Sequence, residues 1–158
     1  MANTYSQIYI QIVFSVQNRE TLLKMPWRLE VYKYISGIIK NKGIKPIIIN
    51  GMEDHIHILI ELKPESSLSD LVRDIKKHST IFINKQNWLS YKFSWQSGFG
   101  AFSYSYSQVD KVYNYIKNQD KIHLNRTFQK EYTEFLNKFN VEYRDEFLFK
   151  WIDKPTPP

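Results

Sequence analysis

An α+β fold of the ferredoxin-like, split β-α-β class is predicted by three features of this sequence. The chain has 158 residues, the length of one ordinary domain, and no internal repeat or linker divides it. Hydrophobic residues make up 42% and charged residues 24%, which allows a packed core. Segments with strand and helix periods follow one another as β-α-β-β-α-β, with further helices at the end. We therefore expect one domain over residues 1–158, with an antiparallel sheet that carries helices on one face and leaves the other face open.

The first half of the chain contains three predicted strands and one helix. Residues 5–16 alternate between apolar and mixed positions, which predicts a half-buried strand. A helix begins near Pro26 and keeps helical spacing of its apolar residues as far as Gly43. Residues 44–50 and 55–62 are short apolar segments separated by a turn, and they predict the second and third strands.

The segment after the third strand begins with a helix. Ser66 or Ser67 can cap this helix, whose apolar residues recur at helical spacing. Residues 92–106 predict a fourth strand or a hairpin.

Two more helices and a tail complete the chain. Ser107 and Asp110 resemble a capping box that opens a helix to about Ile122. Residues 127–140 predict the last helix, and the Pro-rich residues 153–158 predict a flexible tail.

Composition excludes several classes of function. The chain has no Cys, which excludes disulfides, thiolate metal sites and cysteine nucleophiles. A metal ion would therefore be held by His, carboxylate or amide oxygen ligands. The apolar runs are too short to span a bilayer, and the N-terminus lacks the pattern of a secretion signal, so we expect a cytoplasmic protein.

The charge distribution indicates a polyanionic partner. The formal net charge is +6, and the basic residues concentrate in residues 24–45 and 67–92. The segment between them, 46–65, is acidic and contains two histidines. This arrangement suits a nucleic acid that lies across a metal site, although solvated helix faces would give a similar pattern.

Aromatic residues indicate which kind of nucleic acid the protein would bind. They are frequent between residues 88 and 115, beside Lys and Arg, and such surfaces stack on unpaired bases. Single-stranded or hairpin nucleic acid is therefore the predicted partner. Arg73, Lys76 and Lys77 lie on one predicted helix, and we expect them to contact phosphates.

His55 and His57 stand two residues apart in the third strand. Side chains two apart share a face, so both imidazoles lie opposite Ile56 and Ile58, which belong to the core face. The two rings can converge on one divalent ion, and without thiolates Mg²⁺, Mn²⁺ or Zn²⁺ are the candidates. A chance pair packed beneath a helix is the alternative.

Tyr115 and Gln119 are four residues apart and share one side of the predicted helix. Tyr113 lies on the other flank. Tyr115 could pack against the sheet as a core residue, or its hydroxyl could act as a nucleophile beside a third metal ligand. The helical pattern does not decide between these functions.

Four segments in this order resemble the single-tyrosine HUH transposases of the insertion-sequence 200/605 type, where HUH denotes His-hydrophobe-His. REP-associated tyrosine transposases are close to this family. The resemblance extends over about residues 4–150. The four segments are Ile12–Arg19, Asp54–His57, Trp95–Ser103 and Tyr115–Gln119.

The resemblance implies a ferredoxin-like fold and an activity. Tyr115 would be the DNA-cutting nucleophile, and His55, His57 and Gln119 would hold a divalent metal ion, Mg²⁺ or Mn²⁺. It also implies recognition of single-stranded DNA hairpins and a homodimer whose active sites are shared between subunits. The sequence departs from relatives that carry two adjacent histidines after the tyrosine motif, because only His123 is present there.

We therefore expect a transposase that cuts and rejoins single-stranded DNA through a 5′-phosphotyrosine at the ends of an insertion sequence. Two alternatives remain open. One is a non-catalytic protein that binds DNA or RNA hairpins, and the other is a metal-dependent phosphoesterase that uses bound water.

Overall fold

The computed structural model describes residues 3–20 and 22–143. Within these residues the chain forms four strands and five α-helices. The strands are β1 (Tyr9–Ser15), β2 (Lys45–Gly51), β3 (His55–Glu61) and β4 (Gly100–Tyr104). The helices are α1 (Trp27–Asn41), α2 (Leu68–Lys85), α3 (Val109–Lys117), α4 (Gln119–Ile122) and α5 (Phe128–Lys138). The predicted tail at 153–158 lies outside the described residues.

The strands form one antiparallel sheet in the order β2-β3-β1-β4. β1 and β3 are central, which confirms the predicted ferredoxin-like α+β class. Their register pairs Val13 with His57 and Ser15 with His55. Because directly opposed residues of an antiparallel pair point to the same face, both histidines lie on the face of Val13 and Ser15.

The apolar face of the sheet packs against α1 and α2. Ile56, Ile58 and Ile60 of β3 are completely buried there. Each such side chain contributes about 1.5–3 kcal/mol through burial. Of the two serines predicted to cap α2, Ser67 does so by accepting a hydrogen bond from the Asp70 amide. The helices contribute Val31, Ile35, Ile39, Leu71, Val72, Ile75 and Ile83 to this core.

The opposite face of the sheet, which we expected to be open, is covered by α3 and α5. Val112 and Ile116 of α3 pack against Leu59 of β3. Phe128 of α5 stacks on the ring of His55, with 4.0 Å between the ring centroids. β1 is consequently buried on both faces and is not half-buried as predicted. None of the described helices combines the length and hydropathy that a bilayer crossing requires.

β4 is shorter than the predicted segment. Of residues 92–106, only Gly100–Tyr104 forms a strand, and Trp95 makes a single bridge with Val16. Gly100 is required where β4 meets α5, because a Cβ atom there would lie 2.7 Å from the Tyr132 hydroxyl. The missing side chain allows α5 to pack close to the sheet.

The helix after β4 differs from the prediction at both ends. The capping box lies earlier than predicted, because Ser105 and Gln108, and not Ser107 and Asp110, cap the short 3-10 turn of residues 106–108 that leads into α3. The helix predicted to continue to about Ile122 is interrupted at Asn118, which separates α3 from α4. The sequence contains no Gly or Pro at this position, and the interruption was therefore not predictable from the helical pattern.

Candidate metal centre and neighbouring tyrosine

β3 places His55 and His57 side by side beneath α5. Both side chains are completely buried, and their ring centroids are 5.2 Å apart. The predicted pairing of the two imidazoles on one strand face is therefore observed. The predicted exposure of that face is not observed, because α5 covers it.

Glu131 of α5 completes a group of three donors. Its Oε1 atom lies 3.1 Å from His57 Nε2 and 3.3 Å from His55 Nε2. In the part of the chain that the structure describes, the donor atoms of these three residues all lie within 4.8 Å of one another. Two imidazole nitrogens and a carboxylate oxygen form a donor set that suits a divalent cation accepting N and O ligands.

Sequence analysis did not identify Glu131, although a signal was present. Glu131 occupies the apolar stripe of α5, which also contains Phe128 and Tyr132 at helical spacing. A carboxylate in such a stripe becomes buried when the helix packs against the sheet. A buried carboxylate requires hydrogen-bond or charged partners. The stripe therefore marks Glu131 as a candidate functional residue.

Gln119, the predicted third ligand, lies in the same cluster. Its Oε1 atom is 3.1 Å from His55 Nε2, and its amide nitrogen donates to Glu131 Oε2 at 3.1 Å. The structure thus brings both Gln119 and Glu131 to the histidines. The role of Gln119 as a metal ligand stays a prediction. Glu131 offers a second oxygen donor beside the histidines.

Tyr115 lies beside this cluster in the same chain. Its hydroxyl donates a hydrogen bond to Glu131 Oε2, and its ring centroid is 6.1 Å from that of His57. Arg126 donates to the same hydroxyl at 3.4 Å. Tyr115 also borders a pocket of about 220 Å³, whose lining includes the basic residues Lys111, Arg126 and Lys138.

Outer contacts orient the two imidazoles. His55 Nδ1 lies 2.7 Å from a carboxylate oxygen of Asp54 and donates to it. The Gln11 side-chain nitrogen lies 2.9 Å from His57 Nδ1, while its oxygen accepts from the Tyr104 hydroxyl at 2.6 Å. Such contacts fix ring orientation and direct Nε2 toward the cluster.

The electrostatics of the cluster centre on the buried carboxylate. Burial alone would lower the pKa of His55, but hydrogen bonds to Asp54 and Glu131 outweigh it and raise that pKa to about 9. Burial lowers the pKa of His57. Burial opposes ionisation of Glu131, yet the imidazoles hold the pKa of its carboxyl far below the usual range. Burial and the neighbouring Glu131 raise the pKa of Tyr115 well above its usual value, so its phenol remains protonated.

The predicted DNA contacts on α2 lie on the other side of the sheet from this cluster. Lys76 is engaged there, because its ammonium donates to the carbonyl oxygens of Gln96 at 2.8 Å and Gly98 at 2.6 Å. It also lies over the Phe14 ring, 5.2 Å from the centroid. Burial lowers the pKa of Lys76 to about 8. These contacts assign Lys76 a role in holding the 96–98 segment against α2.

Arg73 and Lys77 are more exposed. Arg73 pairs with Asp70 at 3.1 Å and with Asp74 at 3.7 Å. Lys77 borders a groove of about 640 Å³. Other polar and basic side chains of this groove are Lys76, Lys85, Lys92, Asn84 and Gln96. DNA contact by Arg73, Lys76 and Lys77 stays a prediction.

Replacing Lys76 with Ala is expected to lower the free energy of unfolding by about 1–3 kcal/mol, because two carbonyl oxygens lose a charged donor. The adjacent Lys77→Ala variant is the control, with a change expected within about 0.5 kcal/mol. Urea denaturation at pH 7 measures both. Equal stability of the two variants would contradict the assignment of Lys76 to the 96–98 segment.

The fold and the cluster define an α+β protein with a buried group of imidazoles and a carboxylate beside a tyrosine. The sequence matches the family described as "Transposase IS200 like" over residues 4–119. Because this match covers most of the chain, the chain belongs to the IS200-like transposase family, whose members are DNA-processing enzymes. The family expected from the sequence is thereby confirmed.

Two solved structures share the fold. A candidate transposase from Deinococcus radiodurans R1, solved at 1.90 Å, is 16% identical and has a TM-score of 0.61 over 75% of this chain and 95% of its own. A REP-associated tyrosine transposase bound to a REP hairpin is also 16% identical, with a TM-score of 0.58 over 78% of this chain and 73% of its own. No curated protein matches the sequence significantly.

Proposed function

We propose that this transposase cuts and rejoins single-stranded DNA with Tyr115 as the nucleophile. One observation carries the proposal: residues far apart in the sequence, Tyr115 on α3, Glu131 on α5 and the histidine pair on β3, meet in one cluster. The contact places the phenol oxygen beside the two imidazoles that can hold a cation, where a nucleophile would be needed.

The proposed reaction is a transesterification. Tyr115 Oη attacks the scissile phosphorus, the P–O bond to the 3′ oxygen breaks, and the products are a 5′-phosphotyrosine and a free 3′-OH. In the rejoining step a 3′-OH attacks the phosphotyrosine, restores a phosphodiester and releases Tyr115. One phosphoester bond replaces another of similar energy, so the cycle requires no nucleotide hydrolysis.

The protein's own groups would prepare this step. Glu131 Oε2 accepts the hydrogen bond of the phenol and holds its oxygen beside the histidines. Arg126, which also reaches the phenol, and Lys111 supply positive charge along the adjacent pocket, where a phosphate would be positioned. A divalent cation held by His55 and His57, with Glu131 or Gln119, would polarise the phosphoryl oxygens.

The proposed substrate is single-stranded DNA that contains a hairpin. The groove beside α2 supports this proposal, because Lys77, Lys85 and Lys92 line it and duplex stems present a regular array of phosphates. The similarity in fold to a REP-associated tyrosine transposase bound to a REP hairpin is consistent with such a partner. We also propose a homodimer. Tyr115 already lies beside the cluster of its own chain, so this contact does not require an active site shared between subunits.

The test is a covalent-adduct assay. Single-stranded oligonucleotides tiled across the DNA that flanks the coding sequence are labelled at either end, incubated with protein and Mn²⁺ or Mg²⁺, and separated on a denaturing gel. We expect the 3′ label alone to remain on the protein, since a 5′-phosphotyrosine retains the downstream fragment. Binding without an adduct would favour a non-catalytic hairpin-binding protein, and cleavage without an adduct would favour a phosphoesterase that uses water; either result would overturn the proposal.

A further inference from the structure

His123 is a buried imidazole to which the proposed reaction gives no part. It follows α4, and its side chain has only 8% of its surface exposed. Its Nε2 atom lies 3.2 Å from Glu131 Oε1 and 3.1 Å from Gln119 Oε1. Its ring centroid is 4.7 Å from that of His55. His123 therefore belongs to the same cluster as the strand histidines.

The three imidazoles converge on one point. The Nε2 atoms of His55, His57 and His123 lie 3.3, 3.1 and 3.2 Å from the same atom, Glu131 Oε1. Three ring nitrogens thus lie within 3.3 Å of one carboxylate oxygen. The distances are those of hydrogen bonds, and the shared oxygen belongs to the carboxylate that groups with His55 and His57 as a possible metal site.

The tautomer of His123 supports a ligand role. Its Nδ1 atom lies 2.7 Å from the carbonyl oxygen of Arg126. A carbonyl oxygen only accepts, so Nδ1 must carry a proton, which leaves Nε2 as the ring nitrogen available to a cation. His55 is held in the same way by the Asp54 carboxylate. A ring nitrogen that donates to an oxygen while the other nitrogen faces the centre is the usual arrangement of metal-bound histidines.

We propose that His123 is a further ligand of the metal centre, which then offers three imidazoles and the Glu131 carboxylate. Such a nitrogen-rich set binds Mn²⁺, Co²⁺ or Zn²⁺ in preference to Mg²⁺, which favours oxygen ligands and retains water. The inference deepens the proposed function, on whose metal site it rests. His123, which lies outside the HUH motif, would give the site its preference for these cations over Mg²⁺.

Metal binding by the full chain tests the inference independently of DNA cleavage. Equilibrium dialysis measures affinity for Zn²⁺, Mn²⁺ and Mg²⁺, and the visible absorption of bound Co²⁺ reports its ligands. We expect the wild-type chain to bind Zn²⁺ and Co²⁺ well above Mg²⁺. Because loss of even an outer partner of a ligand costs about 10–100-fold in affinity, His123→Ala is expected to lose at least about tenfold for Zn²⁺ and to change the Co²⁺ spectrum.

Two further variants make the result specific. His123→Asn retains an amide donor for the Arg126 carbonyl but lacks Nε2, so it should lose the same affinity while keeping the fold, as judged by circular dichroism. The exposed His78 on α2 is the matched control, and His78→Ala should bind every cation as the wild type does. Wild-type Zn²⁺ affinity and an unchanged Co²⁺ spectrum in both His123 variants would overturn the inference.

The outcomes also separate this inference from the proposed function. If His57→Ala loses cation binding while the His123 variants keep it, the HUH metal site stands and the role of His123 is refuted. If the wild-type chain binds none of the cations, the inference fails together with the metal site of the proposed function. Loss of cation binding in His57→Ala and in both His123 variants supports the HUH metal site and the ligand role of His123.

Discussion

Replacing Tyr115 with Phe is expected to reduce formation of the covalent protein–DNA adduct by at least about 10³-fold, because among residues 3–20 and 22–143 no other hydroxyl donates to Glu131. The substitution removes one oxygen atom and keeps the ring that packs near His57 and Phe135. The variant should therefore remain folded, with a loss of about 1 kcal/mol from the missing hydrogen bond. The denaturing-gel assay with 3′-labelled DNA measures the adduct directly.

Tyr113→Phe is the matched control. Tyr113 lies on the same helix, two residues away, and its side chain is exposed. Its hydroxyl is absent from the described contacts of the cluster, so adduct formation should equal that of the wild type. If Tyr115→Phe still formed the adduct, or if both variants lost it equally, the assignment of Tyr115 as the nucleophile would be wrong.

Replacing Glu131 with Ala is expected to lower the free energy of unfolding by about 3–5 kcal/mol in cation-free buffer, because a buried charge network would lose its anion. The carboxylate is 1% exposed and is contacted by three imidazoles, an amide and a phenol. Those contacting residues are His55, His57, His123, Gln119 and Tyr115. Urea denaturation at pH 7 measures the change through the transition midpoint and slope.

The control for this prediction is Glu134→Ala on the same helix. Glu134 pairs with Arg126, but 46% of its side chain is exposed, and the loss of such a pair costs about 0–1 kcal/mol. A destabilisation by Glu131→Ala no larger than that of Glu134→Ala would show that the carboxylate does not hold the histidine cluster together. Glu131→Gln, which keeps the shape without the charge, should fall between the two.

The parts of the site built on a strand were predictable from the sequence. Strand alternation has a period of two, so His55 and His57 had to share a face opposite Ile56 and Ile58. The order of strands and helices also followed from the pattern, although the bounds of β4 and of the helix after it did not. The presence of Tyr115 and Gln119 at the cluster was expected from the family resemblance and was left undecided by the helical pattern itself.

The parts that depend on where a helix docks were not predictable in the same way. A helical period reveals which side of α5 is apolar but not which sheet face it covers, so the burial of the histidines and the contribution of Glu131 were missed. The phosphate contact expected of Lys76 stays a prediction, and the engagement of its ammonium by two carbonyl oxygens was not predictable from its charge. Sequence position alone does not reveal whether a cation is solvated or already engaged.

The covering helix α5 has a kinetic consequence for the proposed reaction. Phe128 stacks on His55 while Glu131 of the same helix fills the space between the imidazoles. A phosphate therefore reaches the cluster from the pocket beside Tyr115, because α5 blocks direct access to the imidazoles. If chemistry takes place there, opening of this amphipathic segment would take Glu131 away from the phenol and the imidazoles, so each opening event would interrupt turnover.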